Sequence, residues 1–186
     1  MSTDCDYPVV AVVGMPGAGK SEVSRALQAM GFQRVRFGDV TEDELKARGL
    51  EQTPASEREV REDIRAREGM AAYAHRSFPR IDGAVAEGPV VVDGLYSWEE
   101  YLVLHERYGD LFTVLAVTSS PATRARRLAA RPHRPLTAEE LASRDRAEIE
   151  KSNKGGPIAL ADITIMNEGS LEELLASVTR AMEARR

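Results

Sequence analysis

Residues 14–21 read Gly14-Met15-Pro16-Gly17-Ala18-Gly19-Lys20-Ser21, a complete G-x-x-x-x-G-K-S pattern. Each residue type suits the binding of phosphate groups. The glycines let backbone N–H groups curl round an anion. The Lys20 ammonium can reach β- and γ-phosphate oxygens, and the Ser21 hydroxyl is a ligand for Mg²⁺. An apolar run, Val9–Val13, precedes the pattern and reads as a buried strand; a helical pattern over 20–30 follows it. The helix N-terminus, with Glu22 in its first turn, would therefore face the anion. A glycine-rich turn without a ligand would have no use for a lysine and a serine at these two positions.

Two carboxylates follow other strand-like runs. Asp93 closes Pro89-Val90-Val91-Val92-Asp93, the placement of a carboxylate that holds Mg²⁺ directly or through water. Asp39, in Gly38-Asp39 after a short run at 33–37, is placed to orient an acceptor hydroxyl or take its proton; a turn or capping role beside Thr41 is the plainer reading. In parallel sheets the C-terminal ends of strands gather at one edge, where ligands bind. Arginines concentrate at Arg124, Arg126, Arg127, Arg131 and Arg134. Arg124, Arg127 and Arg131 share one helix face by spacing and could clamp phosphate oxygens; a solvent-facing helix laced with ion pairs is the alternative. Arg144 and Arg146 extend the basic character. Arg61, Arg65 and Glu68 share a face that could hold an acceptor's phosphate, a solvated face being the commoner reason for such a pattern. Tyr96 and Trp98 could border an acceptor pocket or pack in the core. His75, His105 and His133 have no metal-ligand spacing, and Asn153-Lys154-Gly155-Gly156 lacks the aspartate a guanine-reading motif needs.

The elements that must position these groups are legible. Apolar runs at 9–13, 33–37, 89–93, 111–117 and 162–166 alternate with helical patterns, which predicts an α/β fold: a five-stranded parallel sheet between helical layers. Thr41/Glu44, Ser56/Glu59, Ser97/Glu100, Thr137/Glu140 and Ser170/Glu173 have capping-box spacing. Pro121 suits a first helical turn after Ser120. Leu171, Leu174, Leu175, Val178 and Met182 form one apolar face of the last helix. Two segments interrupt the alternation. Residues 41–88 carry two helical patterns, and the arginine-rich stretch 131–157 is bounded by Pro132, Pro135, Gly155 and Gly156. They suit an acceptor-binding insertion and a closing lid, or else are solvated helical excursions.

Composition narrows the class. With 186 residues, 42% hydrophobic and 30% charged, the chain matches one globular domain spanning 1–186. Its net charge of −5 argues against non-specific nucleic-acid binding. A single cysteine, Cys5, excludes an internal disulfide and a cysteine metal cluster. The polar, acidic start does not resemble a signal peptide and no apolar run has transmembrane length. A cytoplasmic protein, monomeric or a small homo-oligomer, with no membrane or nucleic-acid partner, is expected.

The order of phosphate loop, Gly38-Asp39, Asp93-Gly94, Arg127-Leu128-x-x-Arg131 and 161–174 (Ala-Asp-Ile-Thr-Ile-Met-Asn-Glu-Gly-Ser-Leu-Glu-Glu-Leu) resembles the dephospho-CoA-kinase-related P-loop kinases, and within them a nucleotide-kinase-like branch. The resemblance covers nearly the whole chain. It implies a P-loop NTPase fold of the nucleoside-monophosphate-kinase type, with ATP and Mg²⁺ as donor. It also implies adenine bordered by the loop at Asn167 and Glu168, and phosphates contacted by Arg127, Arg131 and Arg134. Some features depart from the pattern: the loop begins Gly14-Met15 instead of Gly-Gly, Gly38-Asp39-Val40 replaces an Asp-Ala-Asp-like element, and Leu95, Tyr96 and Ser97 stand where many nucleotide kinases carry an arginine. These bear on the acceptor rather than the donor. The expected chemistry is in-line γ-phosphoryl transfer to a nucleotide-like or CoA-precursor acceptor, a nucleoside monophosphate or dephospho-CoA. Gly14, Pro16, Gly17, Ala18, Gly19, Lys20, Ser21 and Glu22 would cradle the phosphates. Lys20, Asp39, Asp93, Arg127 and Arg131 would take part in catalysis, and Ser21 and Asp93 would hold the metal. A regulatory nucleotide-binding module that hydrolyses slowly and switches a protein partner is the alternative of a different class.

Overall fold

The computed structural model describes residues 7–132 and 134–184; Cys5 and His133 lie outside them. The strands at 9–13, 90–93 and 112–118 are rich in valine and almost wholly buried, whereas those at the sheet edges, 33–36 and 163–166, are partly exposed. These are β1 (Val9–Val13), β2 (Gln33–Arg36), β3 (Val90–Asp93), β4 (Phe112–Thr118) and β5 (Ile163–Met166), all parallel in the order β2-β3-β1-β4-β5. One face of the sheet is covered by α1 (Lys20–Ala29) and α9 (Leu171–Glu183), through Val23, Leu27, Leu174, Val178 and Met182 against Val10, Val12, Val91 and Leu115. The other face packs on α2 (Gly38–Ala47), α3 (Pro54–Glu68), α4 (Ala72–Val85), α5 (Trp98–Tyr108) and the short α8 (Gly155–Ala159), around Phe37, Ile64, Tyr73, Ile81, Leu95 and Leu104. The remaining helices, α6 (Pro121–Ala129) and α7 (Ala138–Glu150), follow β4. The result is the three-layer α/β sandwich that the alternating pattern predicts.

Differences from expectation have local causes. Between β2 and β3 there are three helices instead of two, and α4 carries Pro79 and Gly83 inside it. Its six buried positions outweigh those poor helix formers. Phe37 leaves β2, although its N–H still reaches the Asp93 carbonyl at 3.0 Å. Helix α2 therefore starts before Thr41, and Thr41 is not a cap: its hydroxyl is buried 2.7 Å from the Tyr73 hydroxyl. Ser56 is not a cap either. Pro54 at the first position moves the cap to Thr53, with Ser56 as its reciprocal partner. The capping boxes at Ser97, Thr137 and Ser170 form, and Ser120 caps α6 ahead of Pro121. On α9, Leu171 and Leu175 are exposed, so the buried stripe is narrower than the leucines suggest. No helix among the described residues is long and apolar enough to cross a membrane.

Candidate nucleotide site

Residues 14–19 turn the chain from the end of β1 into the start of α1. Three glycines have left-handed backbones, with φ of +151° at Gly14, +80° at Gly17 and +111° at Gly19. Each is also held close. A Cβ on Gly14 would strike the Val117 carbonyl oxygen, one on Gly17 the Leu128 side chain, and one on Gly19 the Asn167 amide. The Gly19 carbonyl accepts from the Glu22 and Val23 amides at 3.0 and 3.2 Å, which leaves the Lys20 and Ser21 N–H groups at the start of α1 without an intrahelical acceptor. Lys20 donates from Nζ to the carbonyls of Gly14 (2.8 Å) and Met15 (3.2 Å). Burial pushes its pKa down to about 7, and the nearby charge of Lys154 pushes the same way.

A cavity of about 260 Å³ opens over this turn. Pro16, Gly17, Lys20, Ser21, Gly38, Asp93, Gly94 and Tyr96 line it, together with Arg34, Arg36, Arg131, Arg144, Glu148 and Lys154. Basic groups thus outnumber carboxylates on a wall shared by the loop, the sheet edge and the 131–157 segment, an arrangement that favours a polyanion. Arg34 and Arg36 alternate along β2 and so project from one face. Arg36 pairs in register with Asp93, while Arg34 donates from Nε to Asp93 Oδ2 at 3.0 Å. Ser21 and Asp93 supply a hydroxyl and a carboxylate to the same cavity, the oxygen donors a magnesium ion takes. Among the described residues no three His, Cys, Asp or Glu side chains form a cage, so a metal here would rely on phosphate oxygens and water for its other ligands.

The 131–157 segment is tied to the loop from behind. Arg124, 5% exposed, donates to the Pro16 carbonyl at 3.2 Å and to both oxygens of Asp145 on α7 at 2.9 and 2.7 Å. It is a strut inside the protein, not part of a phosphate-facing row. Arg131 lies beyond the end of α6 and does line the cavity. Arg127 does not. It donates to Ser119 Oγ, the Asn167 and Gly169 carbonyls and Asn167 Oδ1, all within 3.0–3.2 Å. The i, i+3, i+7 spacing groups three arginines that the fold separates: Arg124 and Arg127 are taken up by different partners, and Arg131, past the end of α6, lines the cavity.

Other expected residues are also placed elsewhere. Asp39 lies 3.0 Å from Arg36 in the first turn of α2 and does not line the cavity. Glu22 pairs with Arg25 at 2.6 Å on the exposed side of α1. Gly14, Ala18 and Gly19 form the back of the turn. Asn167 is buried and donates from Nδ2 to the Ala18 carbonyl at 2.8 Å, buckling the loop to the end of β5. Glu168 accepts from Thr123 Oγ1 (2.6 Å), the Ser120 amide and Ser120 Oγ (3.1 Å), which lower its pKa. It thereby caps α6. Asn167 and Glu168 do border a second, shallower hollow of about 420 Å³ over α9, which shares no lining residue with the first cavity. Arg134 pairs with Glu57 at 3.3 Å. Trp98 stacks on Tyr101 with centroids 5.1 Å apart, and Tyr96 lines the cavity.

Arg34, Arg36, Glu148 and Lys154 also line the cavity. The two arginines carry a readable signal in their alternation along a strand; nothing in the sequence around Glu148 and Lys154 marks them.

A family profile described as an AAA domain matches residues 10–151. The UPF0200 protein of Hyperthermus butylicus is 36% identical over 176 residues, covering 94% of this chain and 92% of that one. The UPF0200 protein of Methanoculleus marisnigri is 37% identical over 173 residues, covering 91% and 92%. Among solved structures, TT1252 from Thermus thermophilus superposes with a TM-score of 0.66 at 22% identity, over 97% of this chain and 98% of that one. Shikimate kinase from Acinetobacter baumannii in complex with shikimate superposes with a TM-score of 0.58 at 17% identity, over 98% and 96%. At these identities the structural likeness speaks to the fold alone: a P-loop kinase-like sandwich.

Proposed function

The chain belongs to the UPF0200 family, with an AAA domain over residues 10–151, and on that premise we propose that it is an ATP-dependent phosphotransferase acting on a small nucleotide-like or CoA-precursor acceptor. The observation that carries this reading is the single cavity in which Lys20, Ser21 and Asp93 meet Arg131, Arg144 and Lys154. A triphosphate with its terminal group at Lys20 would have basic groups on its far side, where charge spreads during phosphoryl transfer. Loop amides and Lys20 hold the donor. Ser21 and Asp93 are the residues that would hold magnesium, which offsets phosphate charge when bound. Asp39, beside Arg36 at the rim, is our candidate to orient the acceptor. Residues 41–88 act as the acceptor-binding insertion and 131–157 as the lid. The link to dephospho-CoA-kinase-related enzymes rests on the sequence motifs.

Calorimetry with ATP and Mg²⁺, followed by ADP release across a panel of nucleoside monophosphates and dephospho-CoA, tests this. We expect saturable ATP binding and stimulation of ADP release by one acceptor. Lys20→Ala should reduce turnover by at least about a hundredfold without unfolding the chain. Absence of binding heat, or wild-type turnover in that variant, would refute the proposal.

A further inference from the structure

Lys154 is an ammonium in an unusual place. Its side chain is 1% exposed, yet it lines the same cavity as Lys20, Ser21 and Asp93. A buried charge destabilises the fold unless it is well paired, and an apolar residue of similar volume often serves stability as well or better. Lys154 has one carboxylate partner, Glu148 on α7, and the Tyr96 ring lies 5.1 Å from its Nζ. That carboxylate is shared: Arg144 approaches it at 3.9 Å. Lys20 on the opposing loop also feels the charges of Lys154, Arg144, Glu148 and Asp93. Lys154 and Arg144 thus share Glu148, and the partly buried Lys20 lines the same cavity.

The backbone holds Lys154 in position. Its N–H donates to the Glu148 carbonyl at 3.2 Å, and Asn153 before it adopts a left-handed φ of +49°. A Cβ on Gly156 would come within 2.7 Å of the Trp98 ring, so the chain lies flat against α5. Pro157 is buried. Lys154 is thus held both by α7, through the Glu148 carbonyl, and by the packing of the residues after it on α5.

We propose that Lys154 is a second phosphate-binding lysine of this site, and that Glu148 is a resident counter-ion which the terminal phosphate of the nucleotide displaces from it. The inference rests on the nucleotide reading above and deepens it. It gives the Asn153-Lys154-Gly155-Gly156 segment a role. It also links occupancy of the cavity to release of the Glu148 side chain, because phosphate and Glu148 compete for the same ammonium.

Titration calorimetry of MgATP and MgADP against wild type, Lys154→Met and Glu148→Gln, with melting curves on each, tests it. Lys154→Met should weaken MgATP by about tenfold or more, with a smaller effect on MgADP, which lacks the terminal phosphate. Glu148→Gln, which removes the competitor and keeps the lysine, should tighten MgATP severalfold. A merely structural pair would lower the melting temperature in both variants and leave both affinities within about twofold of wild type; that result overturns the inference and leaves the nucleotide reading standing. If Lys154→Met fails to fold, Glu148→Gln decides alone: unchanged or weaker MgATP binding overturns the inference. A wild type silent to MgATP removes the nucleotide reading and this inference with it.

Discussion

Lys20 illustrates how much a single residue depends on its surroundings. Its ammonium rests on the Gly14 and Met15 carbonyls, and burial with the neighbouring Lys154 charge lowers its pKa to about 7. Phosphate oxygens would raise that pKa, so the nucleotide complex holds the proton that free protein partly lacks at neutral pH. The sign follows from linkage: affinity should be flat below pH about 7 and fall above it, by up to about tenfold per pH unit. At neutral to mildly alkaline pH, binding should take up as much as about one proton. Calorimetry in buffers of different ionisation enthalpy reads this directly, and a binding heat independent of buffer would contradict it. At the same scale, Arg127 and Asn167 show why residue type underdetermines role. Both brace the loop through hydrogen bonds that join β5 to α6 and to the Ala18 carbonyl.

Among the elements, α6 and α7 act as a pair. The bidentate contact of Arg124 with Asp145, combined with its bond to the Pro16 carbonyl, joins α7 to the phosphate loop through one guanidinium. Arg124→Leu would leave Asp145 and that carbonyl without their donor, a destabilisation of about 3 kcal/mol for a pair this buried. Two observations should follow. Amide exchange should speed up across Ala138–Glu150 more than in the sheet, and turnover should fall by a larger factor than nucleotide affinity. Equal loss of protection across every element would show a global rather than a hinge effect. Elements also explain the mixed record of the capping signals. Ser97, Thr137 and Ser170 begin helices that follow extended chain, so the local box decides. Thr41 sits where the chain has already begun to coil after Phe37, and burial against Tyr73 recruits its hydroxyl instead.

For the molecule as a whole, the charged groups between the layers govern how stability responds to pH. Glu100 is fully buried beneath the loop that follows β3. It accepts from the Tyr96 and Ser97 amides at 2.7 and 3.1 Å through one oxygen, while the other has no hydrogen-bond partner and lies 4.0 Å from Arg65. Burial, only partly countered by Arg65 and those amides, raises its pKa to about 7. In this case the folded state binds the proton more tightly than the unfolded state. The contribution of Glu100 to stability should therefore be intact below pH about 4, decline as pH rises towards about 7, and stay constant above that. Glu100→Gln should melt higher than wild type at mildly alkaline pH, by up to about 3 kcal/mol, with little difference in acid. Parallel melting profiles for the two proteins across this range would refute the assignment.

What the chain settles unaided is local. The glycine-rich turn with Lys20 and Ser21, the valine strands and the boxes at Ser97, Thr137 and Ser170 are each determined by neighbours a few residues away, since steric limits and short-range hydrogen bonds act at that distance. The parallel sheet follows from the alternation of such pieces. What only the tertiary structure decided is which charged side chains meet. Arg127 and Arg131 are four residues apart, but one is bound up behind the loop and the other faces the cavity. Arg34 reaches Asp93 across 59 positions of sequence, and Lys154 faces Lys20 because α8 packs on α5. Long flexible cations take whichever anion or carbonyl the packed layers bring within about 3 Å, and that partner is chosen only when the layers close.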